Sequence, residues 1–310
     1  MQTSSPTPSR TVGYVLLVSL GLFWGLNWPG MKIALNELPV WWFRSLSVGA
    51  GALGLLVIAA ASGLRVVPRR EDLRPLALCA LFNILGWHIL TAYGVSQMAA
   101  GRASIIAFTM PVWASLLAAA VLGEPITRWK ILGLALGLCG LAALIGPDLA
   151  ALGAAPMGAM FMLGASMSWA TGTVLFKKHP SSLPVASAIG WQLALGFLVI
   201  TGFAAALEPA PDLTALSWRA YAALAYLFAL PMVYCQWAYF SVVRIFPAAT
   251  AAIGTLAVPV TGVFSSALLL GEPVTAYDLA ALALIFSALF AVLVAPALVA
   301  RRAGRAAPAR

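Results

Sequence analysis

Ten apolar runs, each close to the length that crosses a lipid bilayer, succeed one another between residues 12 and 299. A hydrocarbon core about 30 Å thick takes around 20 apolar residues wound as a helix. Measured that way, the expected spans cover 12–33, 39–61, 76–96, 103–122 and 131–145, then 157–176, 184–206, 218–242, 248–270 and 278–299. The links hold turn residues, at Pro68, 123–125, 146–147, Pro180, 209–211 and 271–273. Too little chain is left over for a soluble domain. Charge agrees, since 9% of the residues are Asp, Glu, Lys or Arg, against about 25% in an average soluble domain. The soluble globular and disordered classes are excluded, and an all-α integral membrane protein is expected.

The chain carries 18 Lys or Arg and 9 Asp or Glu, a net charge of +9. No basic stripe or RNA-binding motif accompanies the excess, so no nucleic-acid partner is expected. Its distribution over the loops explains it. With the N-terminus cytoplasmic, 14 of the 18 basic residues fall inside, from Arg10 and the 65–74 loop to Arg310, as short cytoplasmic loops require. Lys32, Arg44, Arg102 and Arg219 fall outside or near the outer interface, where most acids also lie. Both termini are therefore expected in the cytoplasm. The first apolar run is long and no small-residue cleavage motif follows it, which reads as an uncleaved helix. Cys79, Cys139 and Cys235 sit in apolar runs without CxxC spacing. They read as buried small side chains, and no metal or cofactor is expected.

The sequence also repeats itself. At an offset of 145, Trp24 meets Trp169, Lys32 meets Lys177, and Leu38-Pro39-Val40 meets Leu183-Pro184-Val185. At 146, Ala92-Tyr93 meets Ala238-Tyr239. At 148, Pro111-Val112 meets Pro259-Val260, and Leu122-Gly123-Glu124-Pro125 with Thr127 meets Leu270-Gly271-Glu272-Pro273 with Thr275. The expected halves are 1–147 and 148–310. Five spans per half is an odd number, so the second half enters the membrane from the opposite side. Two inverted five-helix repeats around a central cavity are the architecture of many secondary transporters.

Ten spans arranged as five plus five, the aromatic first helix Phe23-Trp24-Gly25-Leu26-Asn27-Trp28, and a Gly-Glu-Pro element closing spans four and nine resemble the EamA-type drug/metabolite transporter superfamily. Within it the chain is similar to bacterial exporters of aromatic and other amino acids. The resemblance implies a basket of helices that exports small metabolites across the bacterial inner membrane. A multidrug, quaternary-ammonium or nucleoside-type exporter of the same superfamily is the alternative. No HExxH, GxSxG or Walker loop occurs, so neither an enzyme nor an ATP-driven pump is expected.

Polar residues inside a membrane are costly, and so they mark candidate sites. His88, mid-span, forms a polar and aromatic face with Asn83, Trp87 and Thr91, either lining a cavity or bonded to a neighbouring carbonyl. Its repeat counterpart is Tyr234. In the first span Trp24, Asn27 and Trp28 share a face. Trp24 and Trp169 lie too deep for the interfacial belt expected of Trp41 and Trp42. Pro111 and Pro259 are read as mid-helix kinks that free a carbonyl, with Thr109 beside the first. Glu124 and Glu272 read as helix stops with capped restarts. Lys32, Lys177 and Arg44 are expected to snorkel, Arg44 being the one best placed to meet a substrate carboxylate. No Asp or Glu lies mid-span, which favours facilitated export of a small neutral or zwitterionic substrate.

Overall fold

The computed structural model describes residues 10–123, 127–150, 155–245, 257–295 and 298, which form helices and short loops with no strand among them. The first half holds α1 (Arg10–Leu35), α2 (Val40–Ala61), α3 (Arg70–Cys79), α4 (Trp87–Gln97), α5 (Ala100–Ala107), α6 (Met110–Leu122) and α7 (Arg128–Ala150). The second holds α8 (Ala155–Lys178), α9 (Val185–Leu207), α10 (Trp218–Ala229), α11 (Cys235–Ile245), α12 (Ala257–Leu270) and α13 (Ala276–Leu289). Among the described residues seven helical stretches are long and apolar enough to cross a membrane. Shorter apolar helices, Ile131–Gly140, Ala257–Leu270 and Ala276–Ala288, fall where spans five, nine and ten are expected.

Three local departures from a straight helix matter. The third expected span begins earlier, at Arg70, where Glu71 and Asp72 suit the first turn of a helix. It then passes through a π-helical turn, Ala80–Gly86, into α4; α10 likewise passes through Leu230–Tyr234 into α11. Each π turn inserts extra residues and rotates the side chains beyond it. The fourth expected span is two helices, broken at Phe108 and Thr109. The turn expected at 146–147 does not form, because α7 continues through Pro147 to Ala150. The two Gly-Glu-Pro elements do end helices: Gly123 and Gly271 both sit at φ +70°, where a Cβ is disfavoured.

Packing pairs the halves. α2 lies along α9, and α7 along α13; α1 packs on α12 as α8 packs on α5 and α6. α4 meets α8, while α11 meets α1. Small residues allow the close approaches. A side chain at Gly21 or Gly25 would run into Ala257 or Thr261, and one at Gly172 would run into Asn83.

Helix ends are tied across the halves by side chains. At one end buried Asp72 accepts from the Ser182 amide (2.6 Å) and from the Ser181 and Ser182 hydroxyls (2.9 Å each), with Arg65 at 3.8 Å. At the other end Glu37 accepts from the Ser217 amide (2.7 Å) and hydroxyl (2.5 Å). The repeat offset of 145 carries position 72 to 217 and position 37 to 182. The two ties are therefore the same contact with acid and serine exchanged. Glu272 accepts from the amides of Ala100 (2.8 Å) and Gly101 (3.0 Å), capping α5, and Arg102 pairs with Asp278 at 2.9 Å. Glu272 thus caps a helix of the other half, whereas Glu124 lies outside the described residues. The Lys32 Nζ donates to the carbonyls of Val95, Ser96 and Met98, the orphan acceptors ending α4. Trp41 and Trp42 donate their amides to Glu208 (2.9 and 3.2 Å), and the Trp41 indole bonds Tyr93.

Two stability outcomes follow from the exchanged ties. Asp72→Ala removes a buried carboxylate from several donors and is expected to cost about 2 kcal/mol in thermal unfolding in detergent. Glu37→Ala, at an exposed site, is expected to cost clearly less. Ser217's hydroxyl and then its amide hold the Glu37 carboxyl below its ordinary value of 4.5. Its contribution is complete above that value and is lost as the pH falls through the lowered one. The melting temperatures of wild type and Glu37→Gln should therefore differ at pH 7 and converge in acid.

Candidate substrate cavity

A cavity with about 650 Å³ of empty space, part of it open to solvent, lies where the two halves meet. α1 contributes Trp24, Asn27, Trp28 and Met31, and α4 contributes Trp87, His88 and Thr91. Arg44 enters from α2, Trp169 from α8, and Phe108 and Met110 from the break between α5 and α6. Pro231 and Met232 of the second π turn, Gln236 of α11 and Val258 of α12 close the wall. Trp87 and Trp169 touch with ring centres 5.0 Å apart, and Trp24 rests on Tyr239 at 5.4 Å. The lining is mostly indole and aliphatic, with a few polar groups, as small-molecule sites commonly are.

Nine buried polar side-chain atoms find no hydrogen-bond partner among the described residues, and four of them line this cavity. They are Trp28 Nε1, Arg44 Nε and both ring nitrogens of His88. Buried polar atoms are nearly always bonded, so their concentration here marks a surface suited to a polar guest. Neutral imidazole offers one donor and one acceptor, and the indole offers a donor. No Asp or Glu is among the described lining residues.

The cavity gathers seven of the residues singled out from the sequence: Trp24, Asn27, Trp28, Trp87, His88, Thr91 and Trp169. Five stand elsewhere. Asn83 sits in the first π turn against Gly172 of α8, because α3 and α8 approach too closely there for a cavity. Thr109 shares a hydrogen bond with Ser166 (2.8 Å), accepts from the Trp113 indole (3.1 Å) and links α8 to the helix break. Tyr234 bonds Ser19 at 2.7 Å and edges against Phe23, so it packs α11 on α1. The second π turn turns it aside and presents Pro231 and Met232 in its place. Pro111 is not a mid-helix kink: it stands in the first turn of α6, where a missing amide costs nothing. Pro259 is third in α12, whose preceding residues lie outside the described part, and its neighbour Val258 meets the cavity instead.

Sequence reasoning set Arg44 at the interface, but it is buried, 5% exposed, and faces the cavity. As the fifth residue of α2 it lies about 6 Å along the axis, a depth that could have signalled this. Gln236, a polar residue inside the eighth span, carried the same signal as His88 and was missed. Met31, Phe108, Met110, Pro231, Met232 and Val258 carried none, since apolar residues fill every span.

The fold and its cavity define a polytopic helical membrane protein of the transporter class. The model of the EamA-like transporter family matches residues 11–146 and again 156–294, so the chain belongs to that family. It is 31% identical to "Uncharacterized transporter YvbV" of Bacillus subtilis over 90% of this chain and 91% of that one. It is 28% identical to a "Probable amino-acid metabolite efflux pump" of Salmonella typhimurium, covering 91% of this chain and 94% of the other. A crystal structure only 17% identical shares the fold, with a TM-score of 0.68 over 95% of this chain and 99% of its own.

Trp24 and Trp169 wall the cavity, whereas Tyr234 does not. Trp24→Ala and Trp169→Ala are each expected to reduce transport several-fold while inserting normally, and Tyr234→Phe to transport close to wild type. Initial rates normalised to reconstituted protein check this; normal rates in either Trp variant would make that indole a packing residue.

Proposed function

We propose that this protein is a secondary transporter exporting neutral, chiefly aromatic, amino acids and related small metabolites across the bacterial inner membrane by alternating access. The observation that carries the reading is the cavity itself. Indoles bound it, unbonded donors and an acceptor punctuate it, and no described carboxylate lines it. An amphipathic cation would favour a buried acid beside those aromatics, which disfavours a quaternary-ammonium exporter. A zwitterion with an apolar side chain fits the mixture of indole surface and polar atoms. The likeness to an amino-acid metabolite efflux pump supports the same class.

The mechanism rests on ten spans, arranged as inverted repeats over 1–147 and 148–310, with both termini cytoplasmic. Support comes from the principal helix contacts, α1 on α12 matching α8 on α5 and α6, and α4 on α8 matching α11 on α1. It comes also from the acid–serine ties at opposite ends of the bundle. Rocking one repeat against the other would break the ties at one end while keeping those at the other. Twelve site residues are proposed from the sequence, and the seven at the cavity carry the weight. His88 acts as a binding group rather than a proton carrier, because no described cavity carboxylate shares a proton with it.

Proteoliposomes test the reading directly. Labelled phenylalanine and tryptophan should exchange across the membrane, and a quaternary ammonium dye should not; the reverse result would transfer the chain to the multidrug class. His88→Gln should keep partial transport with an unchanged pH dependence. Strong pH-gradient stimulation of wild type that vanishes in this variant would make His88 the proton carrier. Reporter fusions after Arg310 and within 148–156 should lie on opposite sides of the membrane.

A further inference from the structure

We propose that Arg44 is the carboxylate anchor of the cavity and restricts it to substrates bearing one carboxylate. The inference deepens the amino-acid reading and rests on it. A guanidinium stays charged in proteins, and burying it without a counter-charge costs several kcal/mol. Arg44 is nevertheless buried and has no acidic partner among the described residues. Its two hydrogen bonds, both from Nη2, go to the Met31 thioether and the Thr91 hydroxyl at 2.7 Å. Thr91 in turn donates back to the carbonyl of Trp87 (2.8 Å) or His88 (3.1 Å). These partners are neutral, so they position the head without discharging it. They also leave Nε unbonded at the cavity.

Arginine binds a carboxylate with two parallel hydrogen bonds, from Nε–H and the adjacent Nη2–H. Nε is unbonded here, and Nη2 would supply the second in exchange for its bond to the Met31 thioether. Trp28 Nε1 supplies a further unbonded donor. The nitrogen acceptor of neutral His88 and the amides of Asn27 and Gln236 remain for an ammonium or hydroxyl group. The repeat offset of 145 pairs Arg44 with Ile189, also buried, so the second half adds neither a second cation nor a counter-ion at that position. Among the described lining residues Arg44 carries the only formal charge. One cation balances one carboxylate and leaves a dianion uncompensated.

The test compares phenylalanine, phenylalaninamide, phenethylamine, phenyllactate and phenylsuccinate as ligands of purified protein, read by thermal stabilisation and by inhibition of phenylalanine exchange. Wild type should prefer phenylalanine over its amide by at least about tenfold and should also respond to phenyllactate. Phenethylamine and the dianion should be weak. Arg44→Gln should erase the preference between acid and amide, and Arg44→Lys should restore part of it, since charge returns without the fork. The acid-against-amide comparison on wild type stands even if neither variant folds. Equal response to phenylalanine and its amide, or an undiminished preference in Arg44→Gln, overturns the anchor and leaves the amino-acid reading intact. No response to any carboxylate overturns both.

Discussion

A hydrocarbon layer offers no partner to a backbone amide or carbonyl, and the rest of this structure answers to that condition. Helices satisfy their own interiors and leave unbonded groups only at their ends. Here the ends are closed by side chains borrowed from other helices. Asp72, Glu37, Glu272 and Glu208 receive amides, and the Lys32 ammonium receives three terminal carbonyls. Most of these bonds join one half of the chain to the other. The contacts that finish the helices therefore also hold the halves in register.

The cavity exists because several helices depart from uniformity. π turns in the third and eighth spans change which residues face inward, and the break at Phe108 and Thr109 delivers Phe108 and Met110 to the wall. Elsewhere glycines at 21, 25 and 172 bring helices too close to leave any space. Close packing around an irregular centre leaves an aromatic-lined cavity between the two halves. The polar groups in it lie on α1, α2, α4 and α11, so motion of one half against the other would alter their spacing.

Symmetry and function part company at Arg44. The repeat supplies paired helices, paired ties and the paired indoles Trp24 and Trp169, yet no counterpart cation stands opposite Arg44. In the proposed alternating-access mechanism, a symmetric frame with one asymmetric charge would rock between two similar states and still hold a polar guest in one orientation. Tyr234, the counterpart of His88, has left the cavity and bonds Ser19, which removes the other polar group that symmetry would have supplied.

The sequence by itself determined the helical class, the membrane and the repeat, because each is a pattern of residue type along the chain. Span length, charge scarcity and recurring Leu-Pro-Val and Gly-Glu-Pro segments need no third dimension. Trp24, Asn27 and Trp28 were legible as a cavity face because α1 keeps its helical period past them. Asn83 and Tyr234 were misread because π turns break that period, and Thr109 because the helix breaks beside it. Only the tertiary structure decided that Arg44 faces the cavity, that Lys32 caps α4, and that apolar Met232 and Val258 share the wall with His88. In a chain whose spans are apolar on nearly every side, hydrophobicity fixes that a residue is buried, and the packing of neighbouring helices alone fixes what it is buried against.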